Sequence, residues 1–395
     1  MGSRISSMWH LRSATLALCG VFLITACVGF SSSQRLGGGL RNNGPNKVQV
    51  AVLLPISSED AQVRVLAVSA EQAARMAMED LAGSVDMEIR VYDTAGIDLQ
   101  AAEMGLLAVE EGAEVIVGPL FAGAANAVGL AVASSGISVL SLSNNVDIAG
   151  GNVYVLGHTF QNTADRLVAY ALGRGKSRVL IVHANNVSGQ AGSDAIEKAL
   201  NYRGNVVAGI EKYEFTQQDV VEAMSRVAER NGLVEADIVF LTADYDGGLP
   251  LIAQLLPEAG VNPEVVQFVG LSQWDVLPSA FHLPGIQEGW FAMPSPVRTE
   301  QFRARFKSVY GTAPHPLATI AYDGVAAVGA SVATGNRNAL NKKGLTLTGG
   351  FQGAAGIFRL RKDGTVERGL AVATIVGKKV FVLEVAPLSF SRFGF

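Results

Sequence analysis

The sequence predicts an α/β fold: two halves, each a parallel sheet wrapped by helices, followed by a small antiparallel C-terminal tail. Three observations predict it. Short apolar strands alternate with amphipathic helices from Val48 onward, the pattern of a parallel sheet buried on both faces. The alternation restarts near Thr163. After Ala355 it gives way to short strands separated by the turn signals Lys362-Asp363-Gly364 and Gly377-Lys378.

In the first half, residues 48–54 form an apolar strand ended by Pro55. Residues 69–81 form a helix with Ala70, Ala73, Ala74, Met76 and Ala77 on its apolar face and Glu71 and Arg75 outside. Strands follow at 88–92, 115–117 and 138–142, separated by helices at 99–112 and 124–135. The second half opens with a helix at 163–172, with Asn162 as its cap. Its strands are 178–183, 206–213, 237–242, 265–271 and 289–293. Helices fall at 192–202, 219–230 and 249–256, and Asp219 suits the positive end of its helix dipole. Two further helices, 298–310 and 317–333, precede tail strands at 355–361, 369–376 and 379–383.

Ahead of the first strand, residues 1–26 read as a secretory signal. Arg4 and Arg12 form the basic region, 14–24 the apolar core, and Ala26 the small residue at the cut site. The core is shorter than the roughly 20 apolar residues of a spanning helix. Ile24-Thr25-Ala26-Cys27 is similar to a lipoprotein signal, which implies that Cys27 carries the lipid and becomes the mature N-terminus. An ordinary signal peptide containing a cysteine is the competing reading. Residues 27–46 are rich in Gly, Ser and Asn without periodicity, as in a flexible tether. Val28 stands where many inner-membrane lipoproteins carry Asp, so the expectation is a periplasmic body anchored to the outer membrane more than to the inner.

Lys and Arg total 31 against 35 Asp and Glu. Loss of Arg4 and Arg12 with the leader makes the chain more acidic, and no basic block remains. That composition argues against nucleic acid. Cys19 leaves with the leader, so the mature chain retains Cys27 alone and has no intrachain disulfide.

Catalytic patterns are weak. Leu172-Gly173-Arg174-Gly175-Lys176-Ser177 ends like a phosphate loop, but Tyr170 replaces the leading Gly and the segment precedes a strand. A helix C-terminal Gly beside a solvated Lys is the better reading. None of His10, His158, His183, His282 and His315 sits at a paired ligand spacing, so no metal is expected. Ser188-Gly189 lacks the Gly before the Ser that a nucleophile turn needs. Asp93, Asp244 and Asp246 have no evident base or nucleophile beside them. The expectation is a protein that is not an enzyme and needs no cofactor.

A binding role fits better. Open parallel sheets collect ligands at the carboxyl ends of their strands. Those ends carry Ser57, Ser58, Thr94, Phe121, Ser143, Asn144, Asn145, Thr159, Asn186, Asp244, Tyr245 and Gln273. Hydroxyls, amides and aromatics suit a small polar ligand between two lobes. Polar residues also occupy such loops without a ligand, and the residues alone leave both readings open.

Val48 to Pro55, the helix with Ala73 to Ala77, Val117-Gly118-Pro119, Ser141-Leu142-Ser143-Asn144, Tyr154-Val155 and Gly353-Ala354-Ala355-Gly356-Ile357-Phe358 resemble the type I periplasmic binding proteins, the leucine-binding-protein superfamily. The resemblance covers nearly everything after residue 47. It implies two Rossmann-like lobes joined by three crossovers around a cleft. With the strand–helix rhythm it places lobe one at 47–160 and 285–338, and lobe two at 161–284 and 339–395, with the tail strands packed on lobe two. Val91-Tyr92-Asp93-Thr94, Val117 to Phe121 and Gly289 to Pro294 look more narrowly like the penicillin-binding protein activator lipoproteins. That likeness implies a peptidoglycan synthase as partner. The alternative is a solute carrier that docks with an ABC permease. Amino-acid carriers hold the ligand carboxylate with a hydroxyl after the Gly-Pro turn. Here Leu120-Phe121-Ala122 supplies none, and Glu59 and Asp60 add negative charge to the first loop. The sequence therefore favours the regulator.

Overall fold

The computed structural model describes residues 47–245, 248–333 and 337–390. The leader, Cys27, the tether and Asp246 lie outside the described residues. The first sheet is built from β1 (Val48–Leu54), β2 (Met87–Asp93), β3 (Val115–Val117), β4 (Ser138–Ser141) and β5 (Val153–Val155). Its order is β2-β1-β3-β4-β5 and every pairing is parallel. Both faces are covered, so β1, β3 and β4 are buried along their whole length. Helices α1 (Ala61–Leu81), α2 (Asp98–Glu110) and α3 (Ala122–Ala131) supply the crossovers.

The second lobe repeats the plan. After α4 (Phe160–Leu172) come β6 (Val179–Ala184), α5 (Val187–Tyr202), β7 (Gly209–Tyr213), α6 (Gln217–Val234) and β8 (Ile238–Leu241). Then α7 (Leu249–Glu258), β9 (Gln267–Gly270) and β10 (Trp290–Met293) complete five parallel strands, ordered β7-β6-β8-β9-β10. Both lobes thus place their first strand between the second and the third. The architecture is the α/β fold of two parallel-sheet lobes with a small antiparallel sheet near the C-terminus.

Beyond β10 the chain returns to the first lobe. Helices α8 (Pro296–Tyr310) and α9 (Ala318–Val332) precede a three-stranded antiparallel sheet of β11 (Phe351–Gly353), β12 (Gly356–Leu360) and β13 (Val366–Arg368). The last two strands, β14 (Ala371–Val376) and β15 (Lys379–Glu384), extend the second sheet antiparallel to β10. The chain crosses between the sheets three times, after β5, β10 and β13.

Two expected placements are corrected. Residues 290–293, assigned by sequence to lobe one, form β10 of the second sheet. Strands β11 to β13, expected on lobe two, pack on lobe one. Phe351, Phe358, Leu360 and Val366 share one apolar core with β1, β3, α1 and α9. The alternation of apolar residues says that these strands cover a core, but not which one. The helix α4 is capped by Thr159, whose hydroxyl accepts from Asn162 N–H at 3.2 Å. Asn162 serves instead as a crosspiece: its amide donates to Val366 O (2.8 Å) and accepts from Arg368 N–H (2.6 Å).

Candidate functional site

In a sheet ordered like these, the crevice opens where the chain leaves the first strand in opposite directions. In the second lobe this point lies at the carboxyl ends of β6, β7 and β8. A depression of about 260 Å³ is found there, with Asn186, Tyr213, Phe215, Thr242 and Asp244 in its wall. Asn186 caps α5 through Gly189 N–H at 2.8 Å. Gly189 is required at that spot, because a Cβ would lie 2.1 Å from Ala184 O. Burial, then the Asp244 charge, pushes the Tyr213 phenol up to about 12. It is a neutral hydroxyl beside a carboxylate at physiological pH.

The predicted residues divide into those the fold gathers and those it uses elsewhere. Asn186 and Asp244 line the depression. Tyr245 and Gln273 do not. The Tyr245 hydroxyl donates to the carbonyl of Trp274, which is fully buried. Gln273 precedes a short 3-10 turn. Tyr213, Phe215, Thr242 and Ser188 join the wall without having been predicted. The Tyr213-Glu214-Phe215 strand end was the available signal.

In lobe one, the loops after β1, β2 and β3 meet. Ser57 N–H donates to Asp93 Oδ1 (3.1 Å), which also accepts from Ala95 N–H (2.9 Å). Burial raises the Asp93 carboxyl, but the Ser57 hydroxyl first, and then the backbone N–H groups of Ala95, Ser57 and Ile56, outweigh it and hold it below the usual range. Thr94 is buried, with its N–H on Leu54 O. Phe121 is part-exposed and rests against Gly96, where a Cβ would lie 3.3 Å from the ring. Ser58 is buried and its hydroxyl accepts from Asp60 N–H. Gly118, at φ +106°, brings the third loop so close that a Cβ would meet Leu53 O at 2.2 Å.

Ser143 accepts from Asn145 N–H, and Asn145 caps the turn that follows, leaving Asn144 exposed. This loop lies against Gly157, beside Thr159 and the first crossover. Asp60, read as a cleft acid, caps α1 through Gln62 N–H at 2.7 Å. Arg64 folds back onto the carbonyls of Ser58 and Glu59.

Among the described residues no cluster of three His, Cys, Asp or Glu could hold a metal ion. No described helix is long and apolar enough to cross a membrane.

The solved structures of several solute-binding proteins share this fold. One is a branched chain amino acid ABC transporter periplasmic ligand-binding protein from Burkholderia xenovorans. It is 16% identical, covers 86% of this chain and 96% of its own, and superposes with a TM-score of 0.68. An ABC transporter substrate-binding protein from Desulfitobacterium hafniense in complex with Leu is 16% identical, with 86% and 100% covered and a TM-score of 0.62. A solute binding protein from R. palustris in complex with benzoate is 16% identical, with 88% and 98% covered and a TM-score of 0.57. No curated protein matches the chain. The profile of the Periplasmic binding protein family matches residues 47–379, and the chain belongs to that family.

Proposed function

We propose that this chain is the solute-binding component of an ABC importer, and that its two lobes close on a small polar ligand of amino-acid or aromatic-acid type. The carboxyl ends of the two sheets are then the halves of one cleft. The carrying observation is the depression at the second sheet's switch point, whose wall brings Asp244, Tyr213 and Phe215 together. An acid and a neutral phenol suit a ligand ammonium, and the ring suits an apolar body. The relatives with leucine and benzoate support the same reading.

Beyond the motif likeness, the regulator favoured by the sequence rests on the acids of the first loop and on the turn without a hydroxyl. The first argument weakens, because Asp60 caps a helix and Arg64 brings a positive charge to the loop. Lipidation of Cys27 and a periplasmic location belong to the same proposal, with residues 28–46 as tether. A thermal-shift screen of amino acids and benzoates tests the carrier. A ligand that binds only the folded state raises the melting temperature, and Asp244→Asn should abolish the shift given by an amino acid. No shift from any member, with a peptidoglycan synthase co-purifying, would return the regulator.

A further inference from the structure

We propose that the groove between helices α4 and α5 and the β12–β13 hairpin is a second site, which takes a small oxyanion. Its cavity, about 450 Å³, is larger than the cleft depression. One wall belongs to lobe two and the other to the hairpin seated on lobe one.

The charges of the walls do not cancel. Glu367 offers one oxygen, Oε2, to both Arg359 (2.8 Å) and Arg361 (3.0 Å), one negative charge for two positive. Asp165 is engaged by Gln161 at 3.0 Å and by Arg203 at 3.9 Å, and burial raises its carboxyl. Asp363 lines the groove and feels the Arg361 charge, but its hydrogen bonds stay in its own loop, from Thr365 N–H and hydroxyl. Arg166 and Arg368 are matched by Glu384 and Asp323. Lys198, exposed on the α5 wall, has no carboxylate at ion-pair distance among the described residues. Its ammonium and the part-exposed Arg361 guanidinium remain as donors on opposite walls. An oxyanion with two acceptor groups can bridge them, and charge-assisted hydrogen bonds of this kind are the strong ones. The cleft depression shares none of these residues.

Titration calorimetry of the full chain with inorganic pyrophosphate, at fixed ionic strength, tests the site. The expected result is one site per chain in the wild type and in Asp244→Asn, with affinity reduced about tenfold in Lys198→Glu. Lys198 is exposed, so this variant should fold, and its melting curve checks that. Absence of binding heat, equal affinity in Lys198→Glu, or loss of binding in Asp244→Asn would each overturn the proposal. The last would put the anion in the cleft.

Discussion

Arg368 donates to Asp323 Oδ2 at 2.7 Å, with both side chains buried. The same guanidinium reaches Leu156 O in the first crossover, and Asp323 Oδ1 accepts from Ala354 N–H at 2.7 Å. Asn162, on the first helix of lobe two, grips the backbone on either side of Glu367. The pair therefore stands where β13, α9 and the first crossover meet. Removing one partner leaves a buried charge alone. Arg368→Met should cost about 3–5 kcal/mol in urea unfolding. The double variant Arg368→Met/Asp323→Leu should recover most of that loss. A double variant as unstable as the single would contradict the account.

Trp274 is the largest fully buried side chain, pressed between two glycines. A Cβ on Gly270 would lie 2.1 Å from its Nε1, and one on Gly289 2.3 Å from Cζ3. Gly270→Ala should destabilise by about 1–3 kcal/mol through overpacking. The indole should shift its emission to longer wavelength. Unchanged stability and emission would show that the ring has room to move.

Much of this fold is legible in the sequence because burial on both faces writes strands as continuous apolar runs, as in 48–54 and 115–117. The strand Val153–Val155 is as short as Val115–Val117 but is hidden between Gly150-Gly151-Asn152 and Gly157, which read as loop. Helix α1 begins eight residues before the sequence suggests, since Asp60 looks equally like a cleft acid and a helix cap. Trp274 reads as an aromatic at a strand end, yet it fills the core. The site was half legible. Asn186 and Asp244 are polar and sit after strands, but Tyr213 and Phe215 belong to a strand end whose alternation hides them. Nothing local tells β11 to β13 which lobe to cover, because Phe351 and Phe358 find their partners on α1 and α9.

Stability should fall with acid through histidines lowered by burial, His158 and His183 and with them the part-exposed His315. Burial first, then Arg368, holds His158 well below its ordinary value, and burial lowers His183, whose Nε2 has no hydrogen-bond partner. His158 and His183 are neutral in the fold and protonate in the unfolded chain. Their contribution is complete above about pH 6.5 and is lost as pH falls toward the folded values. Between pH 7 and about 5 the loss is at most about 2 kcal/mol per residue. Asp165 and Asp275, raised by burial, act with the opposite sign nearer the carboxylate range. Melting curves from pH 7 to 5 for wild type and His183→Gln separate the terms. The variant should show the shallower decline, and identical slopes would refute the assignment.

Anchoring is checked by fractionation. Cys27→Ser should move the protein from the membrane to the soluble fraction, and the wild type should carry acyl mass. A wild type without acyl groups that stays membrane-bound in the variant would end the lipid reading.

The central claim is closure of two lobes on a ligand held by Asp244 and Tyr213. Small-angle scattering of the full chain, with and without the amino acid that gives the largest thermal shift, tests it most directly. The account predicts a smaller radius of gyration on binding, with the change absent in Asp244→Asn. A ligand that binds with no contraction, or that contracts the Asp244→Asn variant equally, would contradict it.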